Sequence, residues 1–297
     1  MTLPLYSESQ ISVSEQIRLL KSDGLIIENE QKAIHLLNHI SLFRFKSYLK
    51  PYRDPKTKKF KNNASFESAY SLYQFDSALR RLIYGEIEKI EVSFRTQLSL
   101  IMSEESGVYW FEKAENFKNP DKHSELLAGL HSELKRCDDE MIVDFQRKYA
   151  NVFPPSWMTF EVASFGTLSK IYRLLKSGRA RRKVAKFYGL SDTVMESWLH
   201  ALVYVRNICA HHSRLWNRRM SINAIIPRKT HLKFINVPKD TKRVYFILSI
   251  LVYFLQSVNP QNTFPTRLKA LISKFPHIDL GAMGFPIQWK DEPLWSN

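Results

Sequence analysis

An arginine and a histidine five residues apart are the side chains in this sequence best suited to chemistry. They are Arg206 and His211, at the two ends of the segment RNICAH. Histidine titrates near neutral pH and can act as a base or an acid, and arginine carries a permanent charge that can hold two phosphate oxygens. These properties suit the cleavage of RNA without a metal ion, because RNA supplies its own nucleophile, the 2′-hydroxyl.

One histidine and one arginine provide only half of the groups that this reaction needs. A base must take the 2′-hydroxyl proton, an acid must protonate the departing 5′-oxygen, and positive charge must stabilise the transition state. A two-fold dimer with both copies of the segment at its interface would supply two of each group. We therefore expect a homodimer with a composite site.

A stripe of polar side chains accompanies His211 along the helix that we predict for this segment. At about 100° per residue, His200, Tyr204, Asn207 and His211 share one face, between apolar neighbours. Asn207 lies one turn before His211 and is predicted to hold its ring nitrogen and fix the tautomer. Arg206 lies about 100° around the helix from Asn207 and so outside the stripe. Its long side chain could still reach the same cavity, more easily if the helix loosens near His211 or if a second subunit closes the site.

The charge of the chain favours a polyanionic partner. Its formal net charge is +15, and phosphate neutralisation rewards such an excess of lysine and arginine. Charge alone does not distinguish DNA, RNA and a membrane surface. The basic amphipathic stretch 167–187 could follow a phosphate backbone, and a solvated basic surface explains it equally well. The candidate RNA contacts in this stretch and after His211 are Lys170, Arg173, Arg179, Arg181, Arg182, Lys183, Arg214 and Arg218.

Other chemistries have little support in the sequence. Cys209, His211 and His212 together suggest zinc, but a structural zinc site needs four ligands and there is no second cluster. His212 is interpreted as an exposed residue, with a spare general base or a phosphate contact as alternatives. A P-loop, a Rossmann fingerprint and a nucleophilic serine or cysteine signature are all absent. We expect no metal and no other cofactor.

Helices must position these residues. Glycine is scarce, at 9 residues, and apolar residues spaced three and four apart predict a long helix from Phe66 to about Met102. Glu91 and Arg95 lie one turn apart in it and are interpreted as a structural ion pair. Ser191 and Asp192 begin the helix that ends near His211. Other helices are predicted at 12–24, 30–40, 124–149, 244–258 and 265–275, with a loop or a small hairpin at 221–239.

These elements predict an all-α fold in two parts. Residues 1–65 form an N-terminal helical segment with a basic loop, and residues 66–297 form a helical domain, with one continuous domain as the alternative. The most apolar segment, 244–258, is shorter than the ~20 residues that span a bilayer, so we expect a buried helix and no membrane partner. Two cysteines and an N-terminus without a signal-peptide pattern favour the cytoplasm.

The site segment resembles known families. Residues 206–212 resemble the Arg-x4–6-His signature of the HEPN superfamily, and residues 213–218, SRLWNR, resemble the Abi family of bacterial abortive-infection proteins, of the AbiD/AbiF type. The run FRFK at 43–46 departs from the tyrosine-rich run expected there. Further segments similar to that family are 42–48, 87–96, 155–168 and 281–286 with Trp289.

The resemblance implies both a fold and a function. The fold is a HEPN-like helical bundle with an N-terminal extension, and the function is phage resistance by a toxin-type, metal-independent endoribonuclease that acts as a dimer. Arg206 and His211 take the catalytic positions, and a small noncoding RNA could hold the protein inactive. The alternative is a non-catalytic RNA-binding or sensor protein of the same fold. The sequence does not identify the RNA that is cleaved, the trigger or the inhibitor.

Overall fold

A computed structural model describes residues 9–236 and 240–296 of the chain. Within those residues there are twelve α-helices and no β-strand, which confirms the predicted all-α fold. In chain order the helices are α1 Val13–Ser22, α2 Glu30–Ile40, α3 Leu42–Leu49, α4 Phe66–Ser106, α5 Pro120–Lys135, α6 Glu140–Lys148, α7 Ser156–Val162, α8 Phe165–Leu174, α9 Arg179–Phe187, α10 Asp192–Ala210, α11 Val244–Val258 and α12 Phe264–Lys274.

Side-chain caps decide where several helices begin. Ser12 accepts a hydrogen bond from the backbone N–H of Glu15 at 3.2 Å, and α1 starts at the next residue. Ser191 caps α10 in the same way. The single helix predicted at 124–149 is instead α5 and α6, because Asp139 caps a new helix through the N–H groups of Met141 and Ile142.

Two other parts of the helix pattern differ from the predictions. The basic stretch 167–187 is divided between α8 and α9, because the chain leaves the helical conformation at Leu175 and α9 begins after Gly178. Helices α3 and α7 have no counterpart among the predictions, since segments of eight and seven residues show too little periodicity. The predicted loop or hairpin at 221–239 is a loop as far as Asn236, and 237–239 lie outside the described residues.

Close contacts divide the chain into two compact units. Of the described residues, the first unit contains those up to Leu79 together with Leu271–Ile278, and in it α2 packs against both α1 and α3. The second unit contains the described residues of Arg80–Ala270 and those from Asp279 onward. The division of domains predicted between residues 65 and 66 stays a prediction.

Helices α10 and α11 form the centre of the second unit. Helix α10 packs against α8, α9 and α11. Every residue of α11 from Val244 to Leu255 is buried, which explains why this helix is apolar on all sides. Trp198 of α10 meets Tyr253 edge to face, with ring centroids 5.2 Å apart. In the part of the chain that the structure describes, none of the helices combines the length and the apolar character required to cross a membrane.

Candidate active site at the end of helix α10

Helix α10 ends in a Schellman motif formed by the two candidate histidines. His211 is the cap residue, and His212 has a φ of +54°, in the left-handed region. The N–H of His212 donates to the carbonyl of Cys209 at 3.1 Å, and the N–H of Ser213 donates to the carbonyl of Ile208 at 3.0 Å. These bonds satisfy carbonyls that the helix end would leave unpaired, and they turn the chain sharply after His211.

The His211 side chain is exposed at this turn, next to that of His212. The side chains of His200 and Asn207, earlier in α10, are exposed as well. The stripe predicted from helical spacing is therefore a solvent-facing surface of α10. Among the described residues the imidazole of His211 and the amide of Asn207 have no hydrogen-bond partner, so the predicted bond between them is not formed. Their link is a main-chain bond, from the N–H of His211 to the carbonyl of Asn207 at 3.0 Å.

Tyr204 is the member of the stripe that is held in place. It is partly buried, and its phenol is hydrogen-bonded by Ser221 and Arg218. Burial by itself would raise the pKa of Tyr204, but these hydrogen bonds and the positive charge of Arg218 outweigh burial and lower the pKa overall. Arg218 also donates from Nη1 to the carbonyl of Arg214 at 3.0 Å.

The loop after His212 folds back along α10. Its residues Arg218 and Ser221 meet Tyr204, and further on Ile225 meets the first half of the helix. The N–H of Ile225 donates to Ser197 Oγ at 3.0 Å, and Trp198 Nε1 donates to the carbonyl of Ile225 at 2.9 Å. The loop therefore holds Arg218, one of the predicted RNA contacts, against the face of α10 that carries Tyr204.

Arg206 lies against α4, away from this loop. Its guanidinium carbon is 5.7 Å from the ring centroid of Tyr84, and it lines a cleft of about 400 Å³ together with Glu88 and Glu91. Burial raises the pKa of Glu91, and the positive charges of Arg95 and Arg206 oppose that rise. As the helical spacing predicts, Arg206 and Tyr204 contact different parts of the protein.

The predicted ion pair of α4 is present beside this cleft. Arg95 Nη2 is 3.3 Å from Glu91 Oε1, and both side chains are largely buried. Arg95 also approaches Glu161 at 3.4 Å and donates to the carbonyl of Ala163 at 3.4 Å. The pair joins α4 to the end of α7, which agrees with its structural interpretation.

One predicted RNA contact is a core residue. The Arg181 side chain is only 5% exposed, pairs closely with Glu196 and lies 3.8 Å from Asp192. It also donates to the carbonyl of Leu175 at 2.9 Å, and its guanidinium carbon lies 5.0 Å from the ring centroid of Tyr172. The assignment of Arg181 to RNA is therefore wrong for this fold: the residue joins α9 to α10 in the interior and is not available to a phosphate.

The other basic candidates of this region are at the surface. They are Lys170, Arg173, Arg179, Arg182 and Lys183. Two of them pair with carboxylates of α4, Arg179 with Glu105 at 3.7 Å and Lys183 with Glu104 at 2.6 Å. Exposed pairs of this kind contribute only about 0–1 kcal/mol, so a phosphate could replace the carboxylates.

The zinc alternative requires a cluster of ligands. Among the described residues, no three histidine, cysteine or acidic side chains lie close enough to share a metal ion. Cys209 is buried, whereas His211 and His212 are exposed. The three residues that suggested zinc therefore do not face a common point.

A family model described as Abi-like protein matches residues 35–217, which is more than half of the 297-residue chain and includes α10 with both candidate catalytic residues. The chain belongs to the Abi-like protein family. Membership of this family suggests a role in abortive infection. No curated protein and no solved structure matches it.

Sequence reasoning missed two neighbours of the site in this Abi-like protein. They are Tyr84, which lies beside the Arg206 guanidinium, and Ser221, which bonds Tyr204. Tyr84 is far away in the chain, and only tertiary packing brings it to α10. A signal for Ser221 does exist, because a polar loop that follows a helix end can fold back onto that helix, but nothing in the sequence fixes its register.

Proposed function

We propose that this Abi-like protein is a metal-independent endoribonuclease of anti-phage abortive infection, active as a homodimer and held inactive by a small noncoding RNA. The observation that carries the proposal is the imidazole of His211, which is exposed and unpaired at a helix end that the Schellman motif holds in place. A general acid or base must be free to reach its substrate, and this ring is free within the described residues.

The proposed reaction is transesterification within the RNA. One His211 takes the proton of a 2′-hydroxyl, and the 2′-oxygen attacks the adjacent phosphorus. The bond from phosphorus to the 5′-oxygen breaks, and the His211 of the second copy protonates that oxygen. Arg206 stabilises the extra negative charge on the phosphate in the transition state. The products are a 2′,3′-cyclic phosphate and a 5′-hydroxyl.

The arrangement of one chain supports the dimer in this proposal. Arg206 contacts α4, while His211 is exposed at the end of α10. A second copy placed across a two-fold axis would allow the His211 of each chain to act with the arginines of both. Supporting roles go to Tyr204, which positions Arg218, and to Asn207, His200 and His212 at the edge of the site.

The alternative is a non-catalytic RNA-binding or sensor protein of the same fold. The observation that favours it is the pair of contacts that Arg206 already makes. Its guanidinium lies beside Tyr84 and interacts electrostatically with Glu91. An arginine that keeps these contacts in the presence of RNA would contribute to packing and not to catalysis. Both hypotheses use the same exposed basic residues to bind RNA, so only a measurement of cleavage separates them.

The decisive experiment incubates purified protein with RNA in EDTA and analyses the ends of the products. We expect 2′,3′-cyclic phosphate ends, and a loss of about 10²–10⁴-fold in rate for His211→Ala, as is typical when a general acid–base group is removed. The matched control is His231→Ala, which removes another exposed histidine of the second unit. Identical fragments from the wild type and H211A would exclude cleavage by this histidine.

A further inference from the structure

Helix α3 presents an unusual side chain to solvent. Phe43 is 90% exposed, whereas the next most exposed aromatic side chain in the described residues, Tyr149, is 56% exposed. Two positions further on, Phe45 is 1% exposed. The helix thus has a buried aromatic face and, separately, one phenyl ring in water, where it contributes nothing to the core.

The exposed ring lies among cations. Lys46 is exposed three residues beyond Phe43, on the same side of α3, and Lys50 is exposed directly after the helix ends at Leu49. Arg44 is exposed next to Phe43. We call Phe43, Arg44, Lys46 and Lys50 the Phe43 surface. No aspartate or glutamate occurs between Glu30 and Asp54, so the segment of sequence that carries this surface contains no acidic residue.

The ring is attached to a rigid support. On the buried side of α3, Phe45 packs against Phe66 with ring centroids 4.7 Å apart, and Tyr48 donates a hydrogen bond to Asp76 at 2.6 Å. The helix starts at a strained corner, since Ser41 has a φ of +63°. Strained residues persist where the surrounding structure holds them, and the contacts of Phe45 and Tyr48 hold the backbone that carries Phe43 in place.

We propose that the Phe43 surface binds single-stranded RNA, with one base stacked on the Phe43 ring and the flanking phosphates held by Lys46 and Lys50. An aromatic ring with lysine and arginine beside it is how proteins bind single strands, because every base has a flat face that can stack. A protein partner would call for several exposed apolar side chains, and α3 offers one. The choice of RNA over DNA rests on the proposed function, but binding at this surface needs no catalysis.

The test measures the affinity of the full-length protein for a short fluorescent single-stranded RNA by anisotropy, in an H211A background so that cleavage cannot interfere. We expect F43A to weaken binding about 5- to 100-fold and F43W to stay within about two-fold of the parent. The matched control is Met141→Ala in α6, which removes another apolar side chain that is 70% exposed. It should leave the affinity unchanged.

The lysines have a separate readout. Lys46→Ala and Lys50→Ala should each reduce the slope of log affinity against log salt concentration by about 0.7, the value for one phosphate contact on a single strand. F43A should leave that slope unchanged, because stacking releases no counterion. Thermal unfolding should show the same transition for F43A and its parent, since the ring is outside the core.

Several outcomes would overturn the proposal. Equal affinities of F43A and M141A would show that no base stacks on Phe43. A change in sedimentation of F43A without a change in RNA affinity would assign the surface to a second copy of the chain. Equal binding of single-stranded DNA would remove the assignment to RNA. Failure of the wild type to cleave RNA would refute the proposed function and would leave these binding measurements fully interpretable.

Discussion

The two ends of helix α10 use polar side chains in opposite ways. Near its start Glu196 binds Arg181, whose side chain is 5% exposed, and the indole of Trp198 donates to the carbonyl of Ile225. At the other end His211 and Asn207 are exposed, with no side-chain partner in the described part of the chain. The difference separates the two kinds of polar residue: a side chain with satisfied bonds holds the fold, and one with unused bonding capacity is available to a ligand.

The largest effect in this comparison is expected for Arg206. It tests whether the Arg206 side chain is available to a ligand or holds the fold. We expect Arg206→Ala to lower the rate of RNA cleavage by about 10²–10³-fold, because the charge on the transition state loses its stabilising cation. The variant Arg206→Lys should recover only part of the rate that Arg206→Ala loses, since lysine lacks the planar fork that holds two oxygens. Single-turnover cleavage in EDTA measures both.

Stability provides the control for the Arg206 variants. They should unfold within about 1 kcal/mol of the wild type, because a cation–π contact at a partly exposed site contributes about that much or less. A larger loss of stability with unchanged cleavage per folded molecule would place Arg206 among the structural residues and favour the non-catalytic alternative.

Substitution of Arg181 should have the opposite effect to substitution of Arg206: it should lower the stability of the fold without a specific loss of RNA affinity. Arg181→Met removes a buried cation from Glu196 and Asp192 and should lower the free energy of unfolding by about 2–4 kcal/mol, because those carboxylates lose their partner in a poorly solvated place. Urea unfolding measures the change, and Arg182→Met, at an exposed neighbour, is the matched control, expected within about 0.5 kcal/mol. RNA affinity per folded molecule that fell more for R181M than for R182M would contradict the structural role.

The smallest expected effect concerns Tyr204, which lies between the two ends of α10. Its pKa in the folded protein is lowered, so over the range below about 10 the unfolded state holds more protons than the folded state. Ionised Tyr204 therefore adds stability that is fully present above the unfolded pKa and is lost as the pH falls through the folded pKa.

The difference in unfolding free energy between the wild type and Tyr204→Phe should consequently widen as the pH rises from 7 to 10. Urea unfolding at a series of pH values measures it. A difference that stays flat or narrows would mean that Arg218 and Ser221 do not stabilise the phenolate.

The sequence predicted the half of the site that depends on local geometry. The Ser191 cap and the 3.6-residue repeat were sufficient to predict α10, and the same repeat predicted that Arg206 and the His211 stripe would separate. The contact of Arg206 with Tyr84 could not be predicted, because it depends on how α4 packs. Arg181 was assigned to RNA because charge alone predicts exposure, whereas its carboxylate partners come from α10, the next helix along the chain.

The loop that returns along α10 has a consequence for the order of folding. Its bonds join Ile225 to residues only 27 and 28 positions earlier, and the Schellman motif is more local still. Closing so short a loop costs little chain entropy, and local contacts form fastest. The contact between Arg206 and Tyr84 must wait for a much longer segment to close. We infer that the end carrying His211 takes shape first during folding, and that Arg206 reaches its position in a later step.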